Sequence, residues 1–199
     1  GLRGRASGWP VYLDRDSVGC ALAELGKLPV SKSDAALFAI MVNTVGIGGG
    51  MLLGREVFYG QDNGAAEIGH MTVLPDGSLC ACGDRGCLEA VSCGRAIVQA
   101  VEAKTGGILS IEELVRLYRQ SDAAAVEAVM QGARFLGLAI GNVIKCVSPQ
   151  RIAVGGRFIS LFPEYYQLVY RFAMERRYIR ITGGTEIVPF SYGEIQSAV

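Results

Sequence analysis

The sequence predicts an α/β layered fold. Two observations carry that prediction. Short β-branched and apolar runs alternate with longer segments of helical periodicity, and a β-hairpin signal precedes a largely helical second half. The chain has 199 residues, half of them apolar, which is enough to bury a core and excludes a disordered tail. Formal net charge is +0, a balance that argues against a free-standing nucleic-acid binder with a basic face. No apolar run approaches the roughly 20 residues that span a membrane, so no membrane partner is expected. Gly1–Pro10 carries Arg3 and Arg5 but no apolar stretch, so it does not read as a signal peptide. The chain does not open on Met, and the expectation is a chain that starts inside a longer, cytoplasmic protein.

The elements follow in order. Val11-Tyr12-Leu13 is a short strand. Asp16 or Ser17 then caps a helix in which Val18, Ala21, Leu22 and Leu25 recur at helical spacing, stopped by Gly26 and Pro29. Ala36–Val42 reads as a buried strand. Met51–Leu53 turns at Gly54-Arg55 into Val57–Tyr59, a hairpin, and Met71–Val73 reads as a strand. Leu88–Lys104 carries an apolar stripe broken near Gly94. Ser110-Ile111-Glu112-Glu113 is a capping box. Asp122 starts a long helix that Ser148-Pro149 ends; within it, Gly137 and Gly141 allow close packing. Arg151–Val154 is a strand, Gly155-Gly156 a turn, Leu161–Arg176 a helix and Glu186–Phe190 a last strand.

Six cysteines without a secretory signal point to reduced thiols. Three of them cluster after the one histidine, as His70-x9-Cys80-x-Cys82-x4-Cys87, with the turn sequences Pro75-Asp76-Gly77 and Gly83-Asp84-Arg85-Gly86 between them. One imidazole and three thiolates are the donor set of a closed, structural zinc site, so Zn2+ is the expected metal and a catalytic role for it is not. The alternative is a core histidine and three ordinary thiols. Cys20, Cys93 and Cys146 read as small apolar residues. The run Gly46-Ile47-Gly48-Gly49-Gly50 is neither a dinucleotide fingerprint nor a Walker loop. It can present backbone N–H groups to a phosphate, or be a tight turn or bulge.

Together these pieces resemble the ROK family (repressors, open reading frames, sugar kinases). Gly64-Ala65-Ala66-Glu67-Ile68-Gly69-His70-Met71, Pro75-Asp76-Gly77, Cys80-Ala81-Cys82-Gly83 and Gly86-Cys87-Leu88-Glu89 match the family signature over 26 residues. Pro10–Asp16 resembles the segment carrying the catalytic aspartate, and Ile152–Gly156 the strand and turn near the adenosine. The resemblance implies an actin-like (RNase H-like) sugar-kinase fold, mostly its C-terminal lobe, with an inserted zinc loop. Residues 1–30 would be the remnant of the N-terminal lobe, and residues 31–199 the sugar-binding lobe with zinc loop 70–87. The lobe opening with Asp-x-Gly-x-Thr, and the helix-turn-helix of the repressors, would precede this chain.

The resemblance also implies the site. A hexose or N-acetylhexosamine would meet Asp16 at its 6-hydroxyl and Glu67, His70 and Glu89 at its ring hydroxyls; His70, Cys80, Cys82 and Cys87 would hold zinc. In a kinase Asp16 would be the general base, and Gly46, Gly48, Gly49, Gly155 and Gly156 would approach ATP with its Mg2+. The bland alternatives are a helix cap for Asp16 and solvated acids for Glu67 and Glu89. Three positions depart from the kinase pattern. Arg15 and Val18 replace two asparagines around the base. Val45 replaces the threonine of Gly-Thr-Gly-Ile-Gly, so the hydroxyl at that position is lost. A cation beside the base opposes kinase chemistry. The expected function is therefore the effector-sensing domain of a ROK transcriptional regulator, leaning away from an enzyme. It would reach DNA only through an N-terminal domain and assemble as a homo-oligomer. The alternative is an ATP-dependent kinase of the glucokinase or N-acetylhexosamine kinase type.

Overall fold

Side-chain alternation along one buried strand divides the molecule into layers. The computed structural model describes residues 2–6, 9–27, 36–175 and 184–190. Strands β1 (Leu2–Ala6) and β2 (Trp9–Leu13) pair antiparallel as a separate two-stranded sheet, and helix α1 (Asp16–Leu25) follows. The main sheet is built from β3 (Ala36–Val42), β4 (Ile47–Leu53), β5 (Glu56–Val57), β6 (Arg151–Gly155) and β7 (Glu186–Pro189), in the order β5-β4-β3-β6-β7. Antiparallel β3–β4 and β4–β5 pairs make a hairpin edge, while β3–β6 and β6–β7 run parallel. Leu37, Ala39 and Met41 of β3 meet Cys20 and Ala21 of α1 on one face. Phe38, Ile40 and Val42 meet the helical layer on the other. Strict alternation in a strand buried on both faces explains why β3 is apolar throughout.

The helical layer comprises α2 (Glu89–Ser92), α3 (Gly94–Thr105), α4 (Ile111–Arg119), α5 (Ala123–Val147), α6 (Arg157–Leu161) and α7 (Pro163–Glu175). Local signals set its boundaries. The Ser110 hydroxyl accepts the Glu113 N–H at 3.1 Å, and the Asp122 carboxylate accepts the Ala125 N–H at 2.9 Å. Ser148, at φ 48°, closes α5 in the left-handed conformation before Pro149. Within α5, a Cβ at Gly137 would lie 2.6 Å from Phe172 Cβ, so the glycine lets α7 close on α5. By length and composition α5 could cross a membrane, contrary to the sequence reading. Its apolar face is instead buried in this core, with Val129, Leu136, Ile140 and Ile144 fully covered.

Several expectations are corrected. Neither Asp16 nor Ser17 caps α1: Arg15 holds the cap position with no side-chain bond. The Ser17 hydroxyl donates instead to the Gly49 carbonyl at 2.8 Å. Only half of the capping box forms as read, since the Glu113 carboxylate turns to Arg116. Met71–Val73 is no strand, because its backbone bonds go to the returning metal loop through Val73 N–H to Gly86 O and Leu88 N–H to Met71 O, each 2.9 Å. The helix expected over Leu161–Arg176 breaks at Phe162, where Pro163 opens α7. Pro29 and Arg176 lie outside the described residues. Strand β1 has no counterpart in the sequence reading. Gly48, Gly49 and Gly50 lie inside β4 rather than in a loop.

Candidate sugar and metal site

The glycines of β4 let two segments approach its backbone. A Cβ at Gly49 would lie 2.2 Å from the Ala66 carbonyl, and one at Gly50 would lie 2.3 Å from the Ser17 carbonyl. On the next segment, a Cβ at Gly69 would lie 2.0 Å from the Ile47 carbonyl. Only glycine permits such contacts. The start of α1, with Asp16, therefore packs on β4 from one side, and segment 66–70, with Glu67 and His70, packs from the other. Gly155 ends β6 and Gly156 follows it beside the end of β3, where a Cβ at Gly156 would meet Val42 O at 2.6 Å. The Asn43 side chain accepts the Arg157 N–H at 3.0 Å and fastens that turn to the end of β3. The carboxyl ends of two parallel strands thus border the glycine turn, where α/β sheets commonly bind ligands.

Glu67 sits in an inverse γ-turn, at φ −71° and ψ 57°, closed by an Ile68 N–H to Ala66 O bond of 2.7 Å. Ala66 before it adopts φ 64°, an uncommon conformation for a residue with a Cβ. Arg15 braces this turn: one guanidinium nitrogen pairs with the Glu67 carboxylate and another donates to Ala65 O at 3.1 Å. Beside it, the Tyr59 hydroxyl donates to Asp14. The sequence reading placed Arg15 against Asp16; its partners here are Glu67 and Ala65. Val18 is buried in the core at 1 % exposure, whereas Val45 stands 76 % exposed at the glycine turn.

His70, Cys80, Cys82 and Cys87 converge. Their ligand atoms lie within 4.8 Å of one another, and together they could hold a metal ion. His70 Nδ1 lies 3.6 Å from Cys80 Sγ, and Cys82 Sγ lies 3.6 Å from Cys87 Sγ. Ligand bonds of about 2.0–2.3 Å in a tetrahedron give edges of about 3.5–3.8 Å, which these two separations match, and one imidazole with three thiols is a donor set suited to zinc. Burial pushes the Cys87 thiol up to about 12, and the Cys82 and Cys80 thiols beside it add to the rise. The backbone N–H of Asp84 draws the exposed Cys82 thiol down. A bound cation would hold both as thiolates. Bonds from Gly86 N–H to Ser78 O (2.9 Å) and Cys80 N–H to Asp84 O (2.8 Å) shape the loop.

Glu89 opens α2, and its Oε2 accepts the Ile47 N–H at 3.1 Å. It also lines a cavity of about 420 Å³ between the metal loop and helices α3 and α5, together with Val45, Leu79, Cys80, Arg95 and Phe135. Asp16, Glu67 and His70 lie outside that cavity's lining. The brace of Arg15 on Glu67 was missed in the sequence because the partners are 52 positions apart.

Comparison with known proteins identifies the family and the fold. The ROK family model matches residues 5–194. The chain belongs to the ROK family. A glucokinase from Halalkalibacterium halodurans is 31% identical over 163 residues, covering 74% of this chain and 48% of its own length. The xylose repressor of Bacillus subtilis is 24% identical over 185 residues, 93% of this chain and 47% of the repressor. This ROK chain thus spans about half the length of the curated relatives it matches. Among solved structures, a ROK hexokinase from Thermus thermophilus superposes with TM-score 0.82 at 30% identity, covering 94% of this chain and 62% of that one. A ROK family transcriptional regulator described as a homologue of the E. coli MLC protein gives TM-score 0.74 at 29% identity, covering 92% and 48%. The fold is that of the ROK sugar kinases, and the chain's relatives include both kinases and repressors.

Proposed function

We propose that this chain is the sugar-binding, effector-sensing lobe of a ROK transcriptional regulator. The observation that supports it most is the Arg15–Glu67 ion pair. Glu67 is a carboxylate suited to paired sugar hydroxyls. In the free protein a cation already holds it. A hexose or N-acetylhexosamine that binds both Glu67 oxygens competes with Arg15 for Oε1, so binding would shift one arrangement toward another, as a sensor requires. Val45 supports the same reading, since the glycine turn offers an exposed apolar side chain where the kinase pattern has a hydroxyl. Asp16, Glu67, His70 and Glu89 would contact the sugar. Zn2+ held by His70, Cys80, Cys82 and Cys87 would fix the His70 imidazole and the carboxylates flanking the loop, a structural role only. DNA contact would lie in a part of the protein outside this chain, and a homo-oligomer would be the working state.

One observation favours a second reading. Asp16 stands exposed at the start of α1, where a ROK kinase would use it as general base toward the sugar 6-hydroxyl, with Gly46, Gly48, Gly49, Gly155 and Gly156 near ATP and Mg2+. The full-length protein decides between them, assayed with ATP and a panel of hexoses and N-acetylhexosamines. Sugar binding without phosphorylation is the expected result. Turnover on the order of 1–100 per second would make this a kinase lobe.

A further inference from the structure

We infer that Glu89 is a positioning residue that fastens the glycine turn to the metal loop and passes sugar occupancy on to that turn. The second half of the inference rests on the sugar-binding reading above; the first half does not. Three observations carry it. The Ile47 peptide is gripped from both ends by neighbours of the metal ligands. Its N–H donates to Glu89 Oε2 at 3.1 Å, two residues beyond Cys87. Its carbonyl is covered by Gly69, the residue before His70, where a Cβ would lie 2.0 Å away. The turn is also built to receive the carboxylate: a Cβ at Gly46 would lie 2.8 Å from Glu89 Oε2. The other oxygen, Oε1, lies 4.0 Å from Cys80 Sγ, so the side chain stands between the metal loop and the glycine turn.

The remaining bonds of the turn run to the same place. Arg95 N–H donates to Thr44 O at 2.6 Å and Gly94 N–H to Asn43 O at 3.3 Å, so residues 43–47 hang on the junction of α2 and α3. Among the described residues, the turn over 44–46 is otherwise closed by the Asn43 N–H to Gly46 O bond of 2.8 Å. The Ile47 bond takes one acceptor position of Oε2 and fixes how the carboxylate is turned; a sugar that turns both oxygens toward a pair of its own hydroxyls competes with that bond. A sugar that recruits Glu89 therefore loosens the turn carrying Val45, at the border where the strand ends β3 and β6 meet.

Amide hydrogen exchange at Ile47 in the full-length protein tests this. Glu89→Ala speeds Ile47 exchange about tenfold or more while core amides such as Leu136 and Ile140 keep their protection, and Glu89→Gln, which retains an acceptor oxygen, restores it. Gly46→Ala, which crowds the carboxylate and leaves every metal ligand in place, gives the same deprotection as Glu89→Ala. Glucose or N-acetylglucosamine that binds by titration calorimetry speeds Ile47 exchange in the unmodified protein. Unchanged Ile47 exchange in Glu89→Ala overturns the positioning role. A sugar that binds and leaves Ile47 unmoved overturns the coupling. Absence of any heat of binding counts instead against the sugar-binding reading, and the Glu89→Ala comparison still stands by itself.

Discussion

Arg15, half-buried, and Glu67, exposed, carry opposite charges, and the pair is bound to the strained Ala66 turn through Ala65 O. Isolated surface ion pairs contribute little. This one matters through position, since it occupies the carboxylate that a sugar would use. The thiols divide in the same residue-by-residue way. Burial pushes Cys20 up to about 12, with the charges of Asp16 and Glu24 adding to it, and burial raises Cys93 as well. Cys82 and Cys146 are exposed. At neutral pH iodoacetamide is therefore expected to label Cys146 and spare Cys20 and Cys93. Metal-stripped protein also labels at Cys82, and saturating zinc protects it. Peptide mass spectrometry reads the result, and equal Cys82 labelling with and without zinc would contradict the four-ligand site.

Among the elements, β4 does the most to assemble the site, and its glycines are explained by packing before any ligand is considered. Gly49 and Gly50 meet backbone carbonyls of Ala66 and Ser17, whereas the nearest atoms to a Cβ at Gly48 are 3.6 Å away. Gly49→Ala should cost about 1–3 kcal/mol in chemical denaturation, and Gly48→Ala much less. Equal losses at both positions would mean that β4 does not set the spacing of the two segments. Local signals made most elements legible in the sequence: the alternation of β3, the Gly54-Arg55 turn, the Asp122 and Ser110 caps, and the Ser148-Pro149 stop. What was not legible depends on distant partners. Met71–Val73 has strand-like residues but bonds to Gly86 and Leu88 instead of joining the sheet. Ser17 looked like a cap and proved to be a tie to Gly49. The metal ligands were legible because their spacing and turns are local; the Arg15–Glu67 and Glu89–Ile47 links were not, because each closes over more than forty residues.

For the whole molecule, one five-stranded sheet carries α1 on one face and the α3, α5 and α7 layer on the other, with the metal loop beside its hairpin edge. The start of α1 and segment 66–70 both rest on β4, and Glu89 ties to Ile47, so the metal loop, the glycine turn and the start of α1 form one connected unit. On the proposed function, this unit binds a sugar through Glu67. Titration calorimetry of the full-length protein with a hexose and N-acetylhexosamine panel, set beside Glu67→Gln, tests it most directly. Loss of hydrogen bonds to a charged carboxylate predicts affinity about 10- to 100-fold weaker in the variant, with an unchanged melting transition. Equal affinity in both proteins would rule Glu67 out as a sugar ligand.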